Sequence, residues 1–141
     1  MRCMASDYFL DTNVVIRLVA ADNPTQTERA RLFFSRIERG EITVTFPEAI
    51  LVEIVQVLSS RNLYALPRLR VLHILTGILM LRGVRLALKH TYVQALEVFA
   101  EVNVDFPDAL LIAYMERAGV SELVTFDRDF RRFPGITPIE P

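Results

Sequence analysis

The sequence predicts an α/β fold with a mostly parallel central sheet flanked by helices on both faces. Two observations carry that expectation. Short apolar runs of strand length alternate along the chain with longer segments whose apolar residues recur at helical spacing, the order that builds βαβ units. Three of the helical segments open on a proline, Pro47, Pro67 and Pro107. The fixed φ and missing N–H of proline suit the first turn of a helix. No stretch rich in Gly, Ser or Pro divides the chain, so residues 1–141 read as a single domain.

Taken in order, Tyr8 to Leu10 reads as a short buried strand and Val14 to Ala20 as a short helix. Thr25 to Arg39 places Ala30, Phe33, Phe34 and Ile37 at helical spacing, with Gly40 as its stop. "ITVT" (42–45) alternates as a strand does. The helix from Pro47 runs to about Ser60, and the one from Pro67 closes near Gly83. Val84 to Leu86 is a strand candidate, Thr91 to Ala100 a helix, and the helix from Pro107 ends at Gly119. "ELVTF" (122–126) is a strand, and "GITPIEP" supplies a last extended piece. "VLHILTGILML" is apolar almost all round as a helix, so it reads as buried, with His73 packed in the core. His90, just ahead of a helix, reads as exposed.

The totals exclude several classes. The chain is 52% hydrophobic, with a mean hydropathy of +0.30, apolar enough that some surface is expected to meet a partner. A formal net charge of −1 gives no global positive field, so any attraction to phosphate must be local. Cys3 is the only cysteine, which excludes an intrachain disulfide and a cysteine-based zinc site. Residues 1–7 lack the apolar core of a signal peptide. The apolar stretch from Val71 to Leu81 falls well short of the ~20 residues of a spanning helix. The default expectation is a cytoplasmic protein with no membrane contact.

The chemistry gathers where apolar runs stop. In "FLDTNVVIRL" (9–18) the first strand ends at Asp11-Thr12-Asn13. In open α/β sheets, ligands collect beyond the carboxyl ends of the strands. Asp11 follows the first strand and Asp127 follows "LVTF", so both are expected on one rim. Thr125, two residues before Asp127, shares its face while the strand persists. Glu53 is the odd residue in "ILVEIVQVL", deep in its helix and away from the first turn where the macrodipole favours an acid. Asp108 lies in the first turn of the helix opened by Pro107, with Asp105 upstream as a candidate cap.

Each acid alone has an ordinary reading. Asp11 or Asn13 caps a helix, Asp105 and Asp108 are first-turn acids, Glu53 lies on a solvent stripe, and Asp127 and Asp129 are turn residues. The set says more. Two unit charges ~4 Å apart repel by ~4 kcal/mol at an effective dielectric of 20, so clustered carboxylates need a cation or a shared proton. With only His73 and His90 as nitrogen donors, an oxygen-only site suits Mg²⁺ or Mn²⁺. Such an ion polarises a phosphodiester and activates a bound water.

"FLDTNVVIRL", "LVEIVQVL", "DFPDALLIAYMERAG" and "LVTFDRDF", in this order, resemble the PIN-domain nucleases, and among them the VapC-type toxins of toxin–antitoxin pairs. The resemblance covers essentially the whole chain. It implies a three-layer sandwich and makes Asp11, Glu53, Asp108 and Asp127 a catalytic, metal-binding quartet. It implies that Asn13 orients the first carboxylate, that the Thr125 hydroxyl sits beside the last, and that Asp105 and Asp129 are supporting acids. It further implies an RNA substrate, Mg²⁺ or Mn²⁺, a homodimer, and a VapB-like antitoxin whose tail covers the site. Arg128, Arg131 and Arg132 flank Asp127 and are candidates to hold substrate phosphates, with a solvated face as the plain reading. Arg61, Arg68 and Arg70 form a second, looser cluster. Three alternatives stand beside this: a non-catalytic PIN-fold module that binds RNA or protein, a structure-specific DNA or ribosomal-RNA processing nuclease, and a phosphotransfer enzyme with Asp11 as nucleophile. The last usually wants a second acid where Asn13 stands.

Overall fold

Most helices begin where the sequence supplies a cap or a proline. In the computed structural model, which describes residues 6–141, strand β1 (Tyr8–Phe9) leads into helix α1 (Thr12–Ala20), with Asp11 as its cap. Cys3 and the start of the polar N-terminal stretch lie outside the described residues. Helix α2 (Pro24–Glu38) starts on Pro24 and is capped by Asn23, whose side chain accepts from the Gln26 amide. Helices α3 (Glu48–Ser59) and α4 (Arg68–Leu79) follow Pro47 and Pro67, each proline standing just before the first helical residue. Helix α5 (Lys89–Glu101) has no side-chain cap. Helix α6 (Phe106–Ala118) is capped by Asp105 and closed by Gly119 at φ 68°, the left-handed conformation that glycine adopts at no steric cost.

Every strand pairing is parallel, as the alternation of elements requires. Strand β2 (Val44–Thr45) pairs with β1, placing Tyr8 opposite Val44 and Phe9 opposite Thr45. Strand β3 (Glu122–Val124) pairs with β4 (Thr137–Ile139), and a single 3-10 turn, Arg128–Arg132, lies between them in sequence. The expected sheet is thus present as two separate parallel pairs among the described residues. The strand expected at 84–86 contracts to one bridge, Val84 against Val44. Runs with strand character extend only as far as a partner backbone lies alongside, and that is settled by tertiary packing.

Tyr8 to Leu10 also differs from its expected burial. Leu10 is buried, but Phe9 is 79% exposed, and on the other pair Val124 and Phe126 are 65% and 76% exposed. Strands of parallel sheets are ordinarily covered on both faces. The core lies instead where α3, α4, α5 and α6 meet β2, around Val44, Leu51, Leu58, Val71 and Leu96. Phe99 of α5 and Phe106 of α6 close it edge to face, 5.9 Å between ring centres. Helix α4 buries one stripe, Val71, Leu75, Ile78 and Leu79. His73, Gly77 and Met80 fall on the opposite stripe and are exposed, which corrects the expectation that His73 is a core histidine. No helix among the described residues is long and apolar enough to cross a membrane.

Candidate active site

The acidic side chains fall into two sets, each held by its own hydrogen bonds. The first lies at the end of β1. Thr12 shares the buried stripe of α1 with Val15 and Ile16, so its hydroxyl points inward toward α3. There it donates to Oε2 of Glu53 at 2.8 Å. The Thr12 backbone amide donates to Oδ1 of Asp11, also at 2.8 Å. One residue therefore fixes both carboxylates, although they lie far apart in sequence. Glu53 is exposed, so it is on a solvent stripe and hydrogen-bonded at once.

Asp11 is itself the cap of α1. Asn13 makes no hydrogen bond to it among the described residues. The contact to the first carboxylate comes from the Thr12 backbone amide. Thr12 joins the candidate site residues through these contacts, which its spacing with Val15 and Ile16 on the buried face of α1 could have suggested.

The second set forms where the start of α6 meets the end of β3. Asp105, Asp108, Asp127 and Asp129 line a cavity of about 160 Å³ with Asn103, Phe130 and Arg132. Asp105 accepts from the Asp108 amide at 3.0 Å, and Asp127 accepts from the Asp129 amide at 2.9 Å. The Thr125 hydroxyl accepts from the Asp127 amide at 3.0 Å, so it sits beside Asp127 and acts on its backbone. Burial holds the Asp108 carboxyl above the ordinary aspartate value, and the neighbouring charges of Asp105 and Asp127 push it the same way. The ion pairs among the described residues join Arg17 to Asp22, Arg31 to Glu28, and both Arg36 and Arg39 to Glu41. None reaches an acid of either set.

The arginines near this set divide. Arg128 and Arg131 are exposed and free of ion pairs among the described residues. Arg132 donates to the Asn103 carbonyl at 2.6 Å and lies 5.0 Å from the centre of the Phe133 ring. It ties the 3-10 turn to the loop before α6. Arg68 is also structural. It stacks 4.2 Å over Phe99 and donates to the carbonyls of Phe99 and Val104. Arg61 and Arg70 are exposed.

Among the described residues, no three acidic, histidine or cysteine side chains stand close enough to hold one ion together. The donor chemistry still suits a hard divalent cation. All donors are oxygen, no cation pairs with them, and like charge already raises Asp108. Arg68 attracts Asp105 and Arg132 lines the cavity, yet Asp108 remains raised. Asp11 and Glu53 belong to the first set, and Asp108 and Asp127 to the second.

No curated protein matches the chain. The PIN domain family does, over residues 8–136, which takes in both acidic sets and nearly every element described above. The chain belongs to the PIN domain family, whose members are generally nucleases.

Proposed function

We propose that the protein is a divalent-metal-dependent endoribonuclease and the toxin of a toxin–antitoxin pair, acting in the cytoplasm. The observation that carries the reading is the unpaired acidity around Asp108, with Asp105 and Asp127 as like-charged neighbours, in a PIN-family chain. Asp11, Glu53, Asp108 and Asp127 would hold Mg²⁺ or Mn²⁺, which supplies a polarised phosphodiester and a more acidic bound water. The chain's own residues position the parts. Thr12 fixes Asp11 and Glu53, Asp105 anchors the first turn that carries Asp108, and Thr125 sets the backbone at Asp127. Arg128 and Arg131, exposed beside Asp127, are available to the phosphates of an incoming strand.

A homodimer and a VapB-like antitoxin complete the proposal. Exposed apolar side chains such as Phe9, Leu63, Val124 and Phe126 support a partner surface. Purified protein should cut RNA with Mg²⁺ or Mn²⁺, stop with EDTA, and lose at least ~100-fold in rate as Asp11→Asn. Activity that survives that change sinks the mechanism. The division of the acids into two sets favours a second reading, a non-catalytic binding module. Calorimetry that detects no divalent binding near millimolar metal decides for it.

A further inference from the structure

Starting at Asn13, two residues beyond Asp11, the packing of α1 on α2 leaves a cleft of about 360 Å³, within the ~300–1,000 Å³ range of small-ligand pockets. Its lining is mixed in a specific way. Asn13 and Gln26 offer amides, Arg29 a guanidinium, and Phe33 an apolar ring. Arg17 also lines it but is committed, donating to Asp22 at 2.7 Å while the Tyr64 hydroxyl donates to the same carboxylate at 2.9 Å. Arg29 is exposed and in no ion pair among the described residues. Phe33 is held at a fixed angle by Tyr8 of β1, ring centres 6.0 Å apart in an edge contact. Asn13, at the near end, follows directly on Thr12, the residue that fixes Asp11 and Glu53.

A free cation, an oriented aromatic ring and two amides are the elements by which proteins hold a nucleotide of a single strand. The cation takes the phosphate, the ring takes the base face, and amides read the base edge. We infer that the α1–α2 cleft is the subsite for the nucleotide flanking the scissile phosphate, with Arg29 on its phosphate and Gln26 and Asn13 on its base edge. The inference rests on the ribonuclease reading for its substrate and adds the determinant of where the strand is cut.

The test is binding of a labelled single-stranded RNA of ~10 nucleotides, within the usual site sizes of such surfaces. Fluorescence anisotropy in EDTA keeps binding apart from cleavage. Arg29→Glu should weaken binding at least ~10-fold and lower the salt slope by about one. Arg29→Lys should retain most of it, and Arg117→Glu on the end of α6 should stay within ~2-fold of wild type. End-mapping with Mn²⁺ should show Gln26→Ala cutting with an altered base preference. The subsite is overturned if Arg29→Glu binds as wild type does, the outcome expected if the cleft seats a partner's peptide instead. It is equally overturned if Arg117→Glu loses as much, or if no RNA binds. RNA binding that needs Arg29 without metal-dependent cleavage removes the nuclease reading and keeps the subsite. Cleavage lost in Asp11→Asn but untouched in Arg29→Glu does the reverse.

Discussion

Asp108 carries a cost that its surroundings do not offset. Its folded carboxyl titrates above the ordinary value of 3.8, so the fold disfavours the charged form. The sign follows from linkage: the penalty is absent below that ordinary value and fully present above the raised one. Asp108→Asn should therefore raise the thermal midpoint at neutral pH in EDTA, with the gain fading as the pH falls toward 3.8. Differential scanning fluorimetry across that range checks it; an equal midpoint for both proteins at neutral pH refutes the penalty of burial and like charge on Asp108. Thr12 gives the complementary case. Thr12→Val keeps the shape of a buried residue and deletes one hydrogen bond to an exposed acid, so stability should change by less than ~1 kcal/mol. The freed Glu53 should nonetheless cost RNA cleavage about tenfold in kcat/KM, a loss of the kind that follows from misplaced catalytic groups. Thr12→Ser should restore it, and an unaltered rate in Thr12→Val would leave Thr12 with a packing role alone.

The elements were legible where local chemistry decides and illegible where a distant backbone decides. Asp105, Pro47, Pro67, Pro107 and Gly119 mark helix ends in the sequence, and helices begin or stop within a residue or two of each. Strand lengths were not legible, because "ITVT" pairs only at Val44 and Thr45, where β1 happens to lie alongside. The acids stood out as candidates only as a set, since each alone has an ordinary role as a cap, turn or surface residue. The tie made by Arg132 was not legible, since its partner is the carbonyl of Asn103 in another loop. The sequence closes α4 near Gly83, yet the helix ends at Leu79 with Met80 as its cap, and the contact that requires glycine at 83 was not legible. A Cβ there would stand 2.3 Å from the Ile42 carbonyl oxygen and 2.8 Å from that of Ile37. The Gly83 amide and carbonyl also bond to Ile37 and Val44, so the backbone has no room to yield. Gly83→Ala should cost about 1–3 kcal/mol, the usual range for overpacking. Urea denaturation measures it, and a loss under ~0.5 kcal/mol, as at an ordinary surface site, would show that the chain relaxes around the methyl group.

At the scale of the molecule, helix packing and strand pairing are unequal partners. Helix α5 packs on α4 and α6, and α1 on α2 and α3, so the helices join in one connected network. The strands form two short pairs instead of one sheet. Stability should therefore reside in the helix contacts, while Asp11 and Asp127, each following a short strand, rest on little strand pairing. Phe9 and Phe126 test this division, since each precedes or adjoins a site acid and each is mostly in water. A side chain already solvated in the folded state loses little burial on truncation. Phe9→Ser and Phe126→Ser should each stay within about 0.5 kcal/mol of wild type in dilute protein, the ordinary range for surface positions. Core truncation at Leu58, which is fully buried, should cost roughly 2–5 kcal/mol as alanine. Thermal melts over a range of protein concentrations read both. A large loss at Phe9 or Phe126, with a wild-type midpoint that climbs with concentration, would mean that a second copy covers these rings. The acids beside them would then have to be read as lying at an interface.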